Sequence, residues 1–66
     1  LDYTKALEQE PDNSDIYYNR GYANFKLKAY SEAAADWQRA IELNPDYKTE
    51  LEVKIKIAQE ELLNKK

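Results

Sequence analysis

Two stretches of this 66-residue chain, 3–11 and 37–45, can be laid on one another at a constant offset of 34 residues. Tyr3 then pairs with Trp37, Lys5 with Arg39, Ala6 with Ala40, Leu7 with Ile41, Glu8 with Glu42 and Pro11 with Pro45. An offset of that length has room for two helices and their turns, so the chain repeats a helix–turn–helix unit. Between the matched ends lies the stretch that organises the rest, SDIYYNRGYANFKLKAYSEAAADWQRAIELNPDY over 14–47. It predicts two amphipathic helices, a tight turn around 27–30 and a stop at Asn44-Pro45-Asp46. Gly21, Ala33 and Ala40 are small enough for helices to cross closely, Trp37 is the one large core filler and Pro45 ends the second helix. Such a hairpin cannot bury both sides of its helices, so the flanking segments are expected to cover it.

The first segment, about 1–10, carries Leu1, Tyr3, Ala6 and Leu7 at helical spacing and stops at Pro11. Asp12-Asn13-Ser14 is turn and cap chemistry, and Ser14 is read as the cap of a helix over about 15–28. That helix has a stripe of Tyr17, Gly21, Asn24 and Lys28, with Ile16, Arg20, Ala23 and Leu27 beside it. A glycine in mid-helix costs about 1 kcal/mol against alanine, which Gly21 repays only if another element crosses closely there. The short turn forces the next helix, about 31–43, to return antiparallel, with Ser31 as its cap and Glu32 favourable for its dipole. Ala33, Trp37, Ala40 and Ile41 share one of its faces, with Ala34 adjoining. Asn44 suits a left-handed helix end, and Asp46 is placed to cap a last helix running to about Leu63. The main stripe of that helix is Leu51, Ile55, Ala58 and Leu62, and Val53 and Ile57 lie nearly opposite. Glu50/Lys54, Glu52/Lys56 and Glu61/Lys65 are set acid before base at i,i+4.

Composition excludes several classes of function. No apolar run approaches the roughly 20 residues of a membrane span, and no stretch reads as a secretion or transit segment. The chain opens inside a helical pattern, as a piece of a longer protein would. The expectation is a soluble, cytoplasmic location. With no cysteine there is neither a disulfide framework nor a thiolate. The net charge of −3 supplies no counterion-release drive towards nucleic acid, so nucleic acid is not expected as partner, and without a spanning run no membrane insertion is expected either.

The aromatic at Tyr17, the Arg20-Gly21 pair, Asn24, Ala33, Trp37, Ala40 and Pro45 stand at the spacing of the tetratricopeptide repeat pattern, and the chain resembles that family. Arg20 stands where the family has Leu, and Asn24 where it has Tyr. The resemblance implies an all-α, antiparallel helix array, a fragment of an α-solenoid. It divides the chain into the second helix of a preceding repeat (1–13), one full repeat (14–47) and a C-terminal capping helix (48–66). The last helix has Ile55 where a further repeat would have its glycine, as suits a terminal cap.

Catalysis has little to work with. There is no His and no Cys, and Ser14 and Ser31 are better used as caps than as nucleophiles lacking a base. Asp12, Asn13 and Asp15 faintly suggest a calcium loop, but the required Gly and distal Glu are missing, so capping is the better reading. The chain is therefore expected to be no enzyme and to need no cofactor or metal. The resemblance implies a protein–protein interaction module whose first repeat helix lines a concave groove. Its exposed face would carry Asp15, Tyr18, Asn19, Tyr22, Phe25 and Lys26 towards a peptide or partner helix. Tyr18 and Tyr22, four apart, make a continuous strip of the kind that anchors interfaces. The plain alternative is that Tyr18, Tyr22 and Phe25 pack on the preceding repeat or on the capping helix. In relatives that grip the C-terminal carboxylate of chaperones an Asn matches Asn19, but here Asp15 stands where a base would help. Arg20 is expected to run its stem along the preceding helix towards Glu8 or Glu10. The edge at Val53 and Ile57 leaves a second class of function open: an end cap or self-association piece, homo-oligomeric through the last helix, with no ligand of its own.

Overall fold

The computed structural model describes residues 3–64; Leu1 of the first stripe and Lys65, the expected partner of Glu61, lie outside them. Among the described residues there are four α-helices and no strand. They are α1 (Tyr3–Gln9), α2 (Ser14–Lys26), α3 (Tyr30–Leu43) and α4 (Lys48–Asn64), and a 3-10 turn over Pro45–Tyr47 feeds the last. The fold is all-α, with α2 packed along α3 and α3 along α4, while α1 touches α2 more lightly.

The core forms where the small residues predict it. Ala33, Trp37 and Ala40 of α3 cluster with Leu51, Ile55 and Ala58 of α4, all buried. Trp37 exposes 0% of its surface, a burial worth at most about 4–6 kcal/mol in transfer free energy. Gly21 lies directly against its indole: a Cβ added there would stand 2.3 Å from Nε1 and 2.4 Å from Cδ1. The crossing that the glycine anticipates is thus made by a ring rather than by a second backbone. The indole N–H donates to the Tyr18 carbonyl at 3.3 Å, so the one polar atom of the ring is satisfied as it is buried.

Several end signals fall on neighbours of the residues expected to carry them. Asn13 caps α2, its Oδ1 accepting from the Asp15 N–H at 2.9 Å, and Ser14 is already helical. Ser31 does not cap α3 either: the helix begins at Tyr30, and Ala29 at the cap position offers no side-chain acceptor. Asn44 is extended (φ −143°, ψ 94°) rather than left-handed. Its Oδ1 accepts from the Asp46 N–H at 3.1 Å and so caps the 3-10 turn, and Asp46, expected to cap the last helix, lies inside that turn instead, two residues before α4 begins. The left-handed residue sits in the other turn, at Lys28 (φ 63°). There the Ala29 N–H reaches the Asn24 carbonyl at 2.8 Å and the Lys28 N–H reaches that of Phe25 at 3.0 Å. This pair of bonds is a Schellman closure, and it turns the chain sharply enough to start α3 two residues later.

Helix α4 lays Leu51, Ile55 and Ala58 on α3 and leaves Val53 59% exposed on its far side. It is longer than α3, 17 residues against 14, and Leu62 and Leu63 in its final turn stay exposed. The ion pair on its outer surface is Lys48 with Glu52 at 3.9 Å, while Glu50 is drawn instead to two tyrosines.

Candidate functional site

Tyr18 and Tyr22 are one turn apart on α2, and both hydroxyls donate to the same oxygen, Oε2 of Glu50 on α4, at 2.6 and 2.8 Å. Their rings tilt at 58° with centroids 5.0 Å apart. Tyr47, carried in by the 3-10 turn, stacks on Tyr18 at 4.6 Å and donates its hydroxyl to Asp15 Oδ1. Tyr22 meets Trp37 edge-on at 5.1 Å, which ties this aromatic patch to the core. Phe25 is drawn further in, between Trp37 at 5.6 Å and Tyr30 at 5.3 Å. Asp15, Asn19 and Lys26 are exposed on the same helix. Of the six residues expected on this face, three are open to solvent. Tyr18 and Tyr22 are half-buried with their hydroxyls engaged, and Phe25 joins the packing around the core.

Electrostatics follow from these bonds. The two phenol donors hold the Glu50 carboxyl below its ordinary range, against a small opposing cost of desolvation. In return, the hydrogen bond to Glu50 and then burial raise Tyr18, whereas for Tyr22 burial comes first and Glu50 second. The bond to Asp15 pushes Tyr47 up to about 12. Each phenol is therefore fixed as a donor, and the Glu50 carboxylate as an acceptor.

A second polar cluster, absent from the expected set, sits on the other side of α2. Asp36 of α3 is only 6% exposed, yet no buried polar side-chain atom among the described residues lacks a partner. Arg20 forks onto it, Nε to Oδ2 at 3.0 Å and Nη2 to Oδ1 at 2.7 Å, and Asn24 Nδ2 donates to Oδ2 at 2.8 Å. The expected reach of Arg20 towards Glu8 or Glu10 is thus corrected. A nearly buried carboxylate one helix away offers two charge-assisted bonds, where an exposed glutamate offers a screened contact. Asp36 was detectable in principle. Polar residues at both Arg20 and Asn24, one turn apart on a face that packs against α3, require an acceptor there.

At the start of α2, Asn13 Nδ2 donates to Glu10 Oε1 at 3.0 Å while its oxygen caps the helix, so this amide is used structurally. Among the described residues no group of three or more His, Cys, Asp or Glu side chains is arranged to hold a metal ion. No described helix is long and apolar enough to cross a membrane.

A family model described as tetratricopeptide repeat matches residues 14–47. The chain is 48% identical over 48 residues to a protein of Bos taurus named Protein SGT1 homolog, covering 73% of this chain and 14% of that protein. It is 41% identical over 46 residues to mitochondrial import receptor subunit TOM70 of Rattus norvegicus, 70% of this chain and 8% of that protein. It is 40% identical over 45 residues to small glutamine-rich tetratricopeptide repeat-containing protein 2 of Saccharomyces cerevisiae, 68% of this chain and 13% of that protein. The chain thus spans about a seventh or less of the curated relatives that it matches. No solved structure matches it significantly.

Proposed function

The chain belongs to the tetratricopeptide repeat family, whose members generally serve as protein–protein interaction modules, and on that premise we propose that α2 presents a docking face to an extended peptide or partner helix. In this reading 1–13 is the second helix of a preceding repeat, 14–47 the complete repeat and 48–66 its cap. The module is non-enzymatic, and its ligand is a protein. Asp15, Asn19 and Lys26 meet the partner directly, and Tyr18 and Tyr22 form the fixed floor between them, with Phe25 supporting that floor from beneath. The observation that carries the reading is the locking of both tyrosines by Glu50. Rings held in one orientation lose little side-chain entropy on binding, which is the usual cost of recruiting an aromatic anchor.

Selection from a displayed library of random peptides tests it. A peptide chosen by the wild-type chain should bind an Asn19→Ala/Lys26→Ala variant at least about tenfold more weakly, a loss of about 1.4 kcal/mol. Both side chains are exposed on α2, so the helical signal should be unchanged. Failure to select any peptide, or a selected peptide indifferent to both substitutions, contradicts the reading.

A self-association role finds some support in Val53, 59% exposed on the outer side of α4. Sedimentation equilibrium distinguishes it: a concentration-dependent dimer, abolished by Val53→Lys or Ile57→Lys and untouched by Asn19→Ala, would put the function on α4 instead of α2.

A further inference from the structure

The carboxylates around the three tyrosines give the exposed face of α2 a charge preference. Tyr47, Tyr18 and Tyr22 form one aromatic patch, with successive centroids 4.6 and 5.0 Å apart. Every phenol in it donates to an acid, Tyr18 and Tyr22 to Glu50 and Tyr47 to Asp15. Donation to a carboxylate pushes electron density into the ring and strengthens the negative face that attracts cations. Lys54 exploits this from within the chain, its Nζ 6.0 Å from the Tyr22 centroid. Among the described residues no such cation lies over the other end of the patch. Asp15 is exposed there and, among the described residues, forms no ion pair with Lys or Arg. An acidic ligand on this end would face Asp15 and Glu50 with like charge. A purely apolar ligand would strip water from Asp15 without replacing it. A cationic side chain meets neither cost, because ring face and carboxylate both favour it.

Resting on the reading of α2 as a docking face, we propose that the Tyr18–Tyr47 end of the patch, flanked by Asp15 and Glu50, receives an arginine side chain of an extended peptide. Arginine suits the site better than lysine, since a planar guanidinium stacks on a phenol ring while its fork faces the Asp15 carboxylate. The preference of this end of the face is then for a basic side chain and against an acidic one.

Three blocked tripeptides test the sign of the site: acetyl-Gly-Arg-Gly-amide, its glutamate counterpart and its all-glycine counterpart, each titrated into the 15N-labelled chain. The arginine peptide should shift the amides of Asp15, Tyr18, Asn19 and Tyr47 saturably, and added salt should weaken it. Asp15→Asn should reduce its affinity about three- to fivefold, as the loss of one exposed charge contact does. Glu50→Gln should do the same while keeping an oxygen acceptor for both phenols, which separates loss of charge from loss of fold. The proposal is overturned by the absence of those shifts, by arginine binding that ignores both substitutions, or by equal binding of the glutamate peptide. That last result leaves α2 as a docking face and removes only its preference for cations, whereas failure of the library selection removes the docking face itself.

Discussion

Three residues carry most of the specificity of this small core. Trp37→Ala should cost about 3–5 kcal/mol, a large share of the stability of any domain this size, and urea unfolding should show the cooperative transition lost or moved close to zero denaturant. Gly21→Ala is a one-carbon change, but its Cβ would stand 2.3 Å from the Trp37 indole. Because the ring is enclosed on all sides, it has little room to give, and a loss of about 1–3 kcal/mol is expected in the same measurement. Arg20→Leu should be destabilising even though it installs the family residue. It strands the nearly buried Asp36 carboxylate with Asn24 alone, at a cost of about 1.5–3 kcal/mol. A double-mutant cycle with Asp36→Ala should show strong coupling, and additive losses would disprove the pairing. The sequence displayed both deviations, Arg20 and Asn24, without their common cause. Asp36 reads as one more charge on a helix whose other acids, Glu32 and Glu42, are exposed, although its place three residues after Ala33 and four before Ala40 sets it on the inward face.

At the scale of elements, existence and order of the helices were legible, because apolar spacing and the 34-residue offset are properties of whole segments. Their ends were not, because several residues of suitable chemistry compete within two positions of each boundary. Asn13 outcompetes Ser14 as cap of α2, and Asn44 caps a 3-10 turn led by Pro45 instead of ending α3 in a left-handed conformation. The turn between α2 and α3 is the least adapted part of the hairpin. Lys28 holds a left-handed conformation that glycine adopts freely, and Ala29 opens α3 without a cap. Lys28→Gly should therefore stabilise by about 1 kcal/mol, and Ala29→Asp by about another 1 kcal/mol, both read as a raised midpoint in urea. A fall in stability with Lys28→Gly would show that the turn does not close as described.

Across the whole molecule, the contacts that join α2 to the C-terminal helix and to the 3-10 turn before it span about half the chain, Tyr18 and Tyr22 to Glu50 and Tyr47 to Asp15. No local pattern encodes them, since they depend on the angle at which the 3-10 turn delivers α4. This is why the sequence marks Tyr18 and Tyr22 but not their partner, and why it assigns Glu50 to Lys54. These contacts also give stability a definite pH dependence. The Glu50 carboxyl is depressed in the folded chain, so its contribution is complete above the ordinary carboxylate range and is lost as pH falls through the folded value. Tyr18, Tyr22 and Tyr47 are raised, so theirs is complete below the ordinary phenol range near 10 and declines as pH rises from there, for Tyr47 through about 12. Thermal melts should accordingly plateau between these limits, and Glu50→Gln should flatten the acid limb.

Trp37 is the only tryptophan in the chain, so its fluorescence reports directly on the claim that the hairpin closes around a buried indole. In the native chain its emission should lie well to the blue of that in the unfolded chain, with acrylamide quenching strongly suppressed, and both should change in one cooperative step on unfolding. Native emission at the wavelength of free tryptophan, with quenching as efficient as in denaturant, would contradict the account.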